Sequence, residues 1–216
     1  MEWYSTHMGP DKTRRQVAAE ATRQAVVEAA LRLFLEGGYH ATSIGAIARE
    51  AGVAVQTIYN SIGSKRDLLS SVLDFAAAGE RAPTPVPAFM AEQAEREPDP
   101  RRIIAQLVEF WQGGLARTAP VFRVIRQAAA LDPEVAALER QRAEQRLRNY
   151  GNAARILDER GALRPGLSCD DAAATIFAVG HPDIYRFFIL EEGWEPERWA
   201  DWVRECLYAA LLGGAS

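Results

Sequence analysis

The sequence has few cysteines and no long apolar run. Its 216 residues include two cysteines, Cys169 and Cys206, which are far apart and show no metal-ligand spacing. We therefore expect neither a disulfide framework nor a zinc site, and no cofactor. No apolar stretch approaches the length of a membrane span, and residues 1–16 are polar. These absences predict a soluble cytoplasmic protein with no signal peptide and no membrane contact.

The chain also lacks an excess of positive charge. Its formal net charge is -4, which excludes a protein that coats nucleic acid by bulk charge but leaves room for a local binding surface. Residues 1–79 contain eight basic and eight acidic side chains, whereas residues 80–216 contain 17 and 21. A nucleic-acid surface is therefore expected in the N-terminal part, which is neutral.

Strand-like alternation of apolar and polar residues is almost absent. Apolar residues recur instead at spacings of three and four, which predicts an all-α protein. Residues 80–100 hold five of the 11 prolines and are predicted to connect an N-terminal domain, residues 17–79, to a larger domain, residues 80–216. Residues 1–8 are left out of this prediction because they resemble a leader. The predicted helices span about residues 22–36, 44–51, 55–63, 64–76, 100–115, 119–130, 133–160, 169–190 and 195–212.

Two short predicted helices, joined by a turn at Gly52, match a helix-turn-helix, in which the second helix enters the major groove of DNA. If Ile58 and its apolar neighbours point inward, the uncharged residues between them point outward: Gln56, Thr57 and Asn60. Amide side chains can form paired hydrogen bonds with adenine, and a hydroxyl can reach a phosphate. Lys65, one of only two lysines, opens the next helix, where its charge and free backbone amides can meet a phosphate. The alternative is an ordinary solvated helix face.

Residues 22–73 resemble the DNA-binding domain of the TetR family of bacterial regulators. The resemblance rests on several short matches at consistent spacing: Ala29-Ala30, Leu33-Phe34, Gly38-Tyr39, Thr42-Ser43, Ile47-Ala48, Ala51-Gly52-Val53, Thr57-Ile58-Tyr59, Ser64-Lys65 and Leu68-Leu69. It implies about nine helices and a homodimer built on the last two. It also implies a DNA-contacting set of Tyr39, Thr42, Ser43, Gln56, Thr57, Tyr59, Asn60 and Lys65, with Gln56 and Asn60 as candidates for base reading. Two positions depart from the family pattern: Ala54 stands where a capping Ser is common, and Ser61-Ile62 where His-Phe is common.

The C-terminal part is larger than dimerisation alone requires, and its aromatic residues suit a cavity with a few polar anchors. The His181-Pro182-Asp183 sequence is predicted to kink a helix, and it shapes either the dimer face or the cavity. The predicted ligand-binding set is Trp111, Phe122, Arg123, Gln127, Tyr150, His181, Asp183 and Tyr185. The predicted dimer interface is Ile176, Trp199, Trp202, Val203, Cys206 and Leu207.

These features predict a repressor that leaves a palindromic operator when a small, mainly apolar molecule binds. The alternatives are a helical carrier or enzyme with an incidental helix-turn-helix, and a protein-binding module. The sequence offers no nucleophile-base-acid arrangement, no phosphate-binding glycine loop and no clustered metal ligands. We therefore expect no catalysis, and three partners: operator DNA, a small-molecule effector and a second copy of the chain.

Overall fold

A computed structural model describes residues 14–79, 92 and 96–213. Residues 1–8 and most of the proline-rich connection lie outside the described residues, and so does the predicted boundary at residue 80. Within the described residues the all-α prediction is confirmed, and none of the helices could cross a membrane. In the part of the chain that the structure describes, nine α-helices are α1 (Arg14–Ala41), α2 (Ile44–Glu50), α3 (Val55–Ser61), α4 (Lys65–Ala78), α5 (Pro100–Ala129), α6 (Pro133–Glu159), α7 (Cys169–Val179), α8 (Pro182–Arg186) and α9 (Pro196–Leu211).

Helix α1 begins earlier than predicted and breaks at a glycine near its C-terminus. Gly38 has φ of 77°, a left-handed value that favours glycine, and it interrupts the helical backbone. The Thr42 hydroxyl donates to the Gly38 carbonyl at 2.8 Å and to the Leu33 carbonyl at 3.0 Å. These bonds satisfy carbonyl groups that the broken helix leaves free and set the path of the chain into α2.

The starts of α2, α3 and α4 follow their sequences. Ser43 caps α2 by accepting from the Ala46 amide, and Ser64 and Asp67 form a capping box at α4. Ala54 occupies the cap position of α3 and offers no side-chain bond. Helix α3 therefore depends on packing for its stability more than α2 and α4 do.

Helix α5 is one continuous helix, so the prediction of separate helices at residues 100–115 and 119–130 was wrong. Pro120 lies inside it and removes one backbone N–H. Packing compensates, because α5 contacts α1, α4, α6, α8 and α9. Twelve of its side chains are buried. Burial of each large apolar side chain stabilises the fold by about 1.5–3 kcal/mol. The sum exceeds the cost of a proline inside a helix, which is about 3 kcal/mol.

The single helix predicted over residues 169–190 is also corrected. Helix α7 ends at Val179, and α8 begins with His181 as its cap and Pro182 in the first helical position. Proline is favoured there because the first amides of a helix have no internal partner. Pro182 thus starts a new helix and does not kink an existing one, and the chain continues as a π-helical segment, Phe187–Glu191.

Two apolar cores lie at the two ends of α5. The first core joins α1–α4 to the second half of α5 and the start of α6, with Val121, Ile125 and Val135 among its buried members. The second core joins the first half of α5 to the rest of α6 and to α7–α9. The packing boundary therefore crosses α5, while the predicted domain boundary near residue 80 stays a prediction.

Candidate nucleic-acid interface and internal cavity

The outer face of α3, its reading face, consists of Gln56, Thr57, Tyr59 and Asn60 and is polar. Gln56 and Asn60 are exposed, and the Gln56 Nε2 donates to the Asn60 Oδ1 at 2.9 Å. Tyr59 is 49% exposed, Thr57 is half-buried, and Ile58 is fully buried beneath them. One turn of helix therefore holds two amides, a phenol and a hydroxyl on a support fixed by Ile58, a set that can hydrogen-bond base edges and phosphates.

Tyr39 and Lys65 form a pair at the start of α4. Tyr39 is buried, with its ring centroid 5.6 Å from that of Phe34, and burial raises its pKa to about 12. The Lys65 Nζ lies 4.2 Å from the centroid of the Tyr39 ring, and partial burial lowers the Lys65 pKa. The neutral phenol ring thus positions a lysine at the first residue of α4 through a cation–π contact.

The two remaining members of the predicted DNA-contacting set act in helix termini. Thr42 is only 6% exposed and its hydroxyl proton is already donated to backbone carbonyls. Ser43 is exposed and caps α2. The structure therefore places Thr42 inside the fold, whereas Ser43 remains accessible at the N-terminus of α2.

Sequence reasoning missed Arg23, which links α1 to the end of α3. Its guanidinium donates to the Ser61 carbonyl at 2.8 Å and to the Ser71 Oγ at 3.3 Å. The Ser61 carbonyl is one of those that a helix C-terminus leaves without a partner. Because 38 residues separate Arg23 from Ser61, no local pattern could have found the contact.

A cavity of about 340 Å³ lies between α4, α5 and α6, next to the start of α8. Three of the predicted ligand-binding residues line it, namely Trp111, Phe122 and Tyr150. The full wall comprises Leu73, Asp74, Ala77, Phe110, Trp111, Gly114, Leu115, Thr118, Phe122, Arg142, Gln145, Arg146, Asn149, Tyr150 and Pro182. The volume falls within the range of small-molecule sites, and the wall combines aromatic surface with a few polar groups.

The other predicted ligand-binding residues do not line this cavity. Arg123 and Gln127 are exposed because they lie on the outer face of α5. Tyr185 packs inside the second core, with its ring centroid 4.9 Å from that of Trp199. The helical repeat of α5 and the new helix start at Pro182 turn these side chains away from the cavity.

His181 and Asp183 serve the start of α8. The His181 Nδ1 accepts from the Asp183 amide at 3.2 Å, and burial, with Arg146 and Arg126 nearby, lowers the His181 pKa to about 4. The Asp183 carboxylate pairs with Arg126. In the structure His181 caps α8, Asp183 forms an ion pair, and neither lines the cavity, so their ligand contacts stay a prediction.

Two arginines of α6 line the cavity and were missed. Arg142 is 2.7 Å from the Asp74 carboxylate and donates to the Ser70 Oγ at 2.6 Å, which joins α6 to α4. Arg146 lies over the ring of Phe122, 4.3 Å from its centroid. The spacing of residues 142, 146 and 150 places them on one helix face, a pattern that could have identified both arginines.

The predicted dimer residues divide into two groups. Four of them are at most 1% exposed within one protomer and pack in its second core: Ile176, Trp199, Val203 and Leu207. Their assignment to the interface is corrected, because a partner cannot touch a side chain that its own fold already covers. Trp202 and Cys206 are half-buried and remain predicted interface residues.

A helix-turn-helix within an all-α chain defines a class of DNA-binding proteins. Residues 26–72 match the family model described as "Bacterial regulatory proteins, tetR family". The match covers α2, α3 and parts of α1 and α4, so it identifies a TetR-type DNA-binding domain in the N-terminal part of the chain. A curated relative, the HTH-type transcriptional regulator AcrR of Shigella flexneri, is 40% identical over 65 residues, which cover 30% of this chain and 29% of AcrR. The match thus spans less than a third of that relative.

Two longer similarities extend into the C-terminal part. The HTH-type transcriptional regulator TtgR of Pseudomonas putida is 27% identical over 200 residues, covering 87% of this chain and 92% of TtgR. The crystal structure of NalD, the secondary repressor of the MexAB-OprM multidrug efflux pump in Pseudomonas aeruginosa, is 22% identical and has a TM-score of 0.72. That alignment covers 91% of this chain and 100% of NalD and supports the fold.

Proposed function

We propose that the protein is a transcriptional repressor that binds a palindromic operator as a homodimer and releases it when a small, mainly apolar molecule binds. The observation that supports this most strongly is the shared use of α4. Lys65 at its start belongs to the predicted DNA-contacting set, and Leu73 and Ala77 near its end line the cavity. One short helix therefore touches both proposed binding sites. TtgR and NalD, which share the long similarities, are named as a transcriptional regulator and a repressor.

The contacts of α4 suggest how the two sites communicate. Besides the Arg142–Asp74 pair, the Arg117 Nε donates to the Ala76 carbonyl at 3.0 Å. A ligand that pushes against Leu73 or Ala77 would shift α4 relative to these anchors and move Lys65 and α3 with it. Two recognition helices must match the helical repeat of DNA, so a small change in their separation weakens binding. The ligand can change the free energy of operator binding only by the difference between its affinities for the DNA-bound and the DNA-free dimer, which is typically about 1–3 kcal/mol.

The dimer is proposed on the outer faces of α7 and α9 and on the segment between them. Leu190 is 70% exposed and Phe187 is 41% exposed, and Trp202 is half-buried against Phe188, with ring centroids 4.7 Å apart. Exposed apolar side chains of this kind favour association with a second copy. A two-fold dimer then requires a two-fold operator.

We propose that the protein acts by binding alone, without catalysis, in the compartment that holds the chromosome. A helical carrier is the competing function, because the cavity by itself would also suit one. Selection of bound sequences from random DNA, followed by affinity measurements on the selected site and a scrambled site at fixed salt, separates the two. A repressor should select a palindrome and prefer it by about 10³-fold or more. Equal affinity for selected and scrambled DNA would contradict the proposal and favour the function of a helical carrier.

A further inference from the structure

Arg146 brings a positive charge to the cavity wall without a matching carboxylate. Its guanidinium lies 4.3 Å from the centroid of the Phe122 ring and 5.3 Å from that of Phe177. It forms no ion pair and no hydrogen bond with any residue that the structure describes. Burial lowers the pKa of this arginine, which reflects the cost of removing its charge from water.

The acidic groups around Arg146 lie closer to other arginines. On the α4 side, Asp74 pairs with Arg142 at 2.7 Å. On the α8 side, Asp183 pairs with Arg126, and Glu139 lies 3.5 Å from Arg126 and favours the charge of Arg146 only from beyond ion-pair distance. The nearest histidine, His181, is neutral at pH 7 because its pKa is about 4. The charged groups that line the cavity therefore sum to one positive charge, and it belongs to Arg146.

An arginine that is partly removed from water and left unpaired is costly, and an anionic partner removes most of that cost. The cavity wall also contains the aromatic side chains of Trp111, Phe122 and Tyr150. Gln145 and Asn149 add amide groups beside the arginine. This composition favours a molecule that has an aromatic body and a single negative charge.

We propose that the effector is an aromatic organic monoanion, such as a carboxylate or sulfonate, whose charged group pairs with Arg146 while its ring system packs against Trp111 and Phe122. The proposal rests on the effector role assigned above and names the chemical class that the site takes. Guanidinium groups bind such anions through charge-assisted, often paired, hydrogen bonds. The one remaining positive charge also predicts poor binding of aromatic cations.

Two fluorescent probes test the proposal, because they share one aromatic frame and differ by one charge. 1-Anilinonaphthalene-8-sulfonate is an anion, and N-phenyl-1-naphthylamine is its neutral counterpart without the sulfonate. Both brighten when they leave water, so each can be titrated into the purified full-length protein. We expect the sulfonate to bind one site per protomer about tenfold or more tightly than the neutral probe, because the charged hydrogen bond is available to it alone.

Variants of α6 assign the preference to Arg146. R146Q should weaken the sulfonate about tenfold and change the neutral probe by less than about threefold, whereas R146K, which keeps the charge, should retain part of the preference. R148Q is the matched control, because Arg148 lies on the same helix with its side chain 67% exposed and pairs with Glu144. It should bind both probes as the wild type does. A77W, which fills the cavity wall, should block both probes.

The proposal is overturned if the wild type binds both probes equally, if it fails to bind the sulfonate, or if R146Q keeps the full preference. It is also overturned if A77W leaves sulfonate binding unchanged, because the dye then sits elsewhere. These titrations need no DNA, so they stand apart from the proposed function. A protein that shows the Arg146 preference but selects no operator would refute the repressor alone, and one that selects an operator without the preference would refute the anionic effector alone.

Discussion

The reading face of α3 and the cavity beneath α4 are assembled in different ways. Gln56, Tyr59 and Asn60 lie within about one turn of a single helix and are exposed. The cavity wall instead joins residues of α4, α5 and α6 and the first residue of α8, and several of them are buried. A short stretch of sequence therefore sets the chemistry of the reading face, while the packing of distant helices sets that of the cavity.

This difference in construction predicts a difference in response to mutation. Exposed side chains of α3 contribute little to stability, so their substitution should change DNA binding and leave the fold intact. Substitutions in the C-terminal part should change assembly or stability and leave base preference unchanged. Two variants of the C-terminal part and two of the N-terminal part test this difference.

Trp202→Glu should give the largest effect. It places a carboxylate in the proposed apolar interface, where an unpaired charge is strongly destabilising, so we expect monomers and a loss of operator affinity of about 100-fold or more. Light scattering and DNA-binding titrations measure the two effects. Leu131→Glu is the control, because Leu131 is 79% exposed in the turn between α5 and α6, outside the proposed interface. A Trp202→Glu protein that remains dimeric would remove α9 from the interface.

His181→Asn should change the pH dependence of stability. The wild-type fold keeps His181 neutral down to about pH 4, against an ordinary value of 6.5, so the unfolded chain binds more protons between these values. Stability should therefore fall as the pH drops from 6.5 to 4, by up to about 3 kcal/mol from this residue, and level off below. Asn keeps a capping oxygen and should lose this part of the slope.

Denaturant unfolding of wild type and variant at several pH values measures the difference. His40→Asn, which removes an exposed histidine from α1, serves as the control and should follow the wild type. Neither variant should alter the sequence preference for DNA. If the free energy of unfolding falls with decreasing pH by the same amount in the wild type and in His181→Asn, His181 does not cause this loss of stability.

Gln56→Ala should relax discrimination at one base pair of each half-site by about 1–3 kcal/mol, if the amide forms paired hydrogen bonds with that base. Selection of bound sequences would show the relaxed position, and thermal unfolding should change little. Gln24→Ala is a matched control, since Gln24 donates to Glu28 at 2.8 Å in the same four-residue spacing on α1. An unchanged sequence preference in the Gln56 variant would make that residue a bystander.

Lys65→Ala should give the smallest effect, spread evenly over all DNA sequences. The logarithm of the binding constant falls linearly with the logarithm of the salt concentration. Loss of one phosphate contact per protomer should make this slope less steep by about 0.9 for each protomer. The lost contact with Tyr39 should also cost about 0.5–1 kcal/mol of stability. Lys65→Arg keeps the charge and should keep the slope. A loss confined to one operator sequence would instead make Lys65 a base-reading residue.

The sequence was most informative where contacts are local. The caps at Ser43 and Ser64, the turn at Gly52 and the burial of Ile58 all depend on residues within a few positions of one another. The same holds for Ser168, whose side chain accepts from the Asp171 amide at the start of α7. These features are predictable because one or two turns of helix contain both partners of each interaction.

Sequence reasoning failed where a helix has two apolar faces and no local rule tells which one the protomer itself covers. In α9, Trp199, Val203 and Leu207 turn into the core, while Trp202 and Cys206 stay half-buried. In α5, packing against five helices carried the helix through Pro120, although a proline usually ends one. In each case the deciding contacts lie far away along the chain.

Residues close together along the chain predict its helices, the TetR-like pattern of its N-terminal part and the chemistry of its reading face, because helical periodicity and capping act over a few residues. The packing of distant helices instead sets which aromatic side chains line a cavity, which arginine there lacks a carboxylate, and which face of α9 is exposed. Those outcomes depend on how helices separated by up to a hundred residues pack together. Burial and charge pairing depend on contacts between helices, so the sequence of one helix does not predict them.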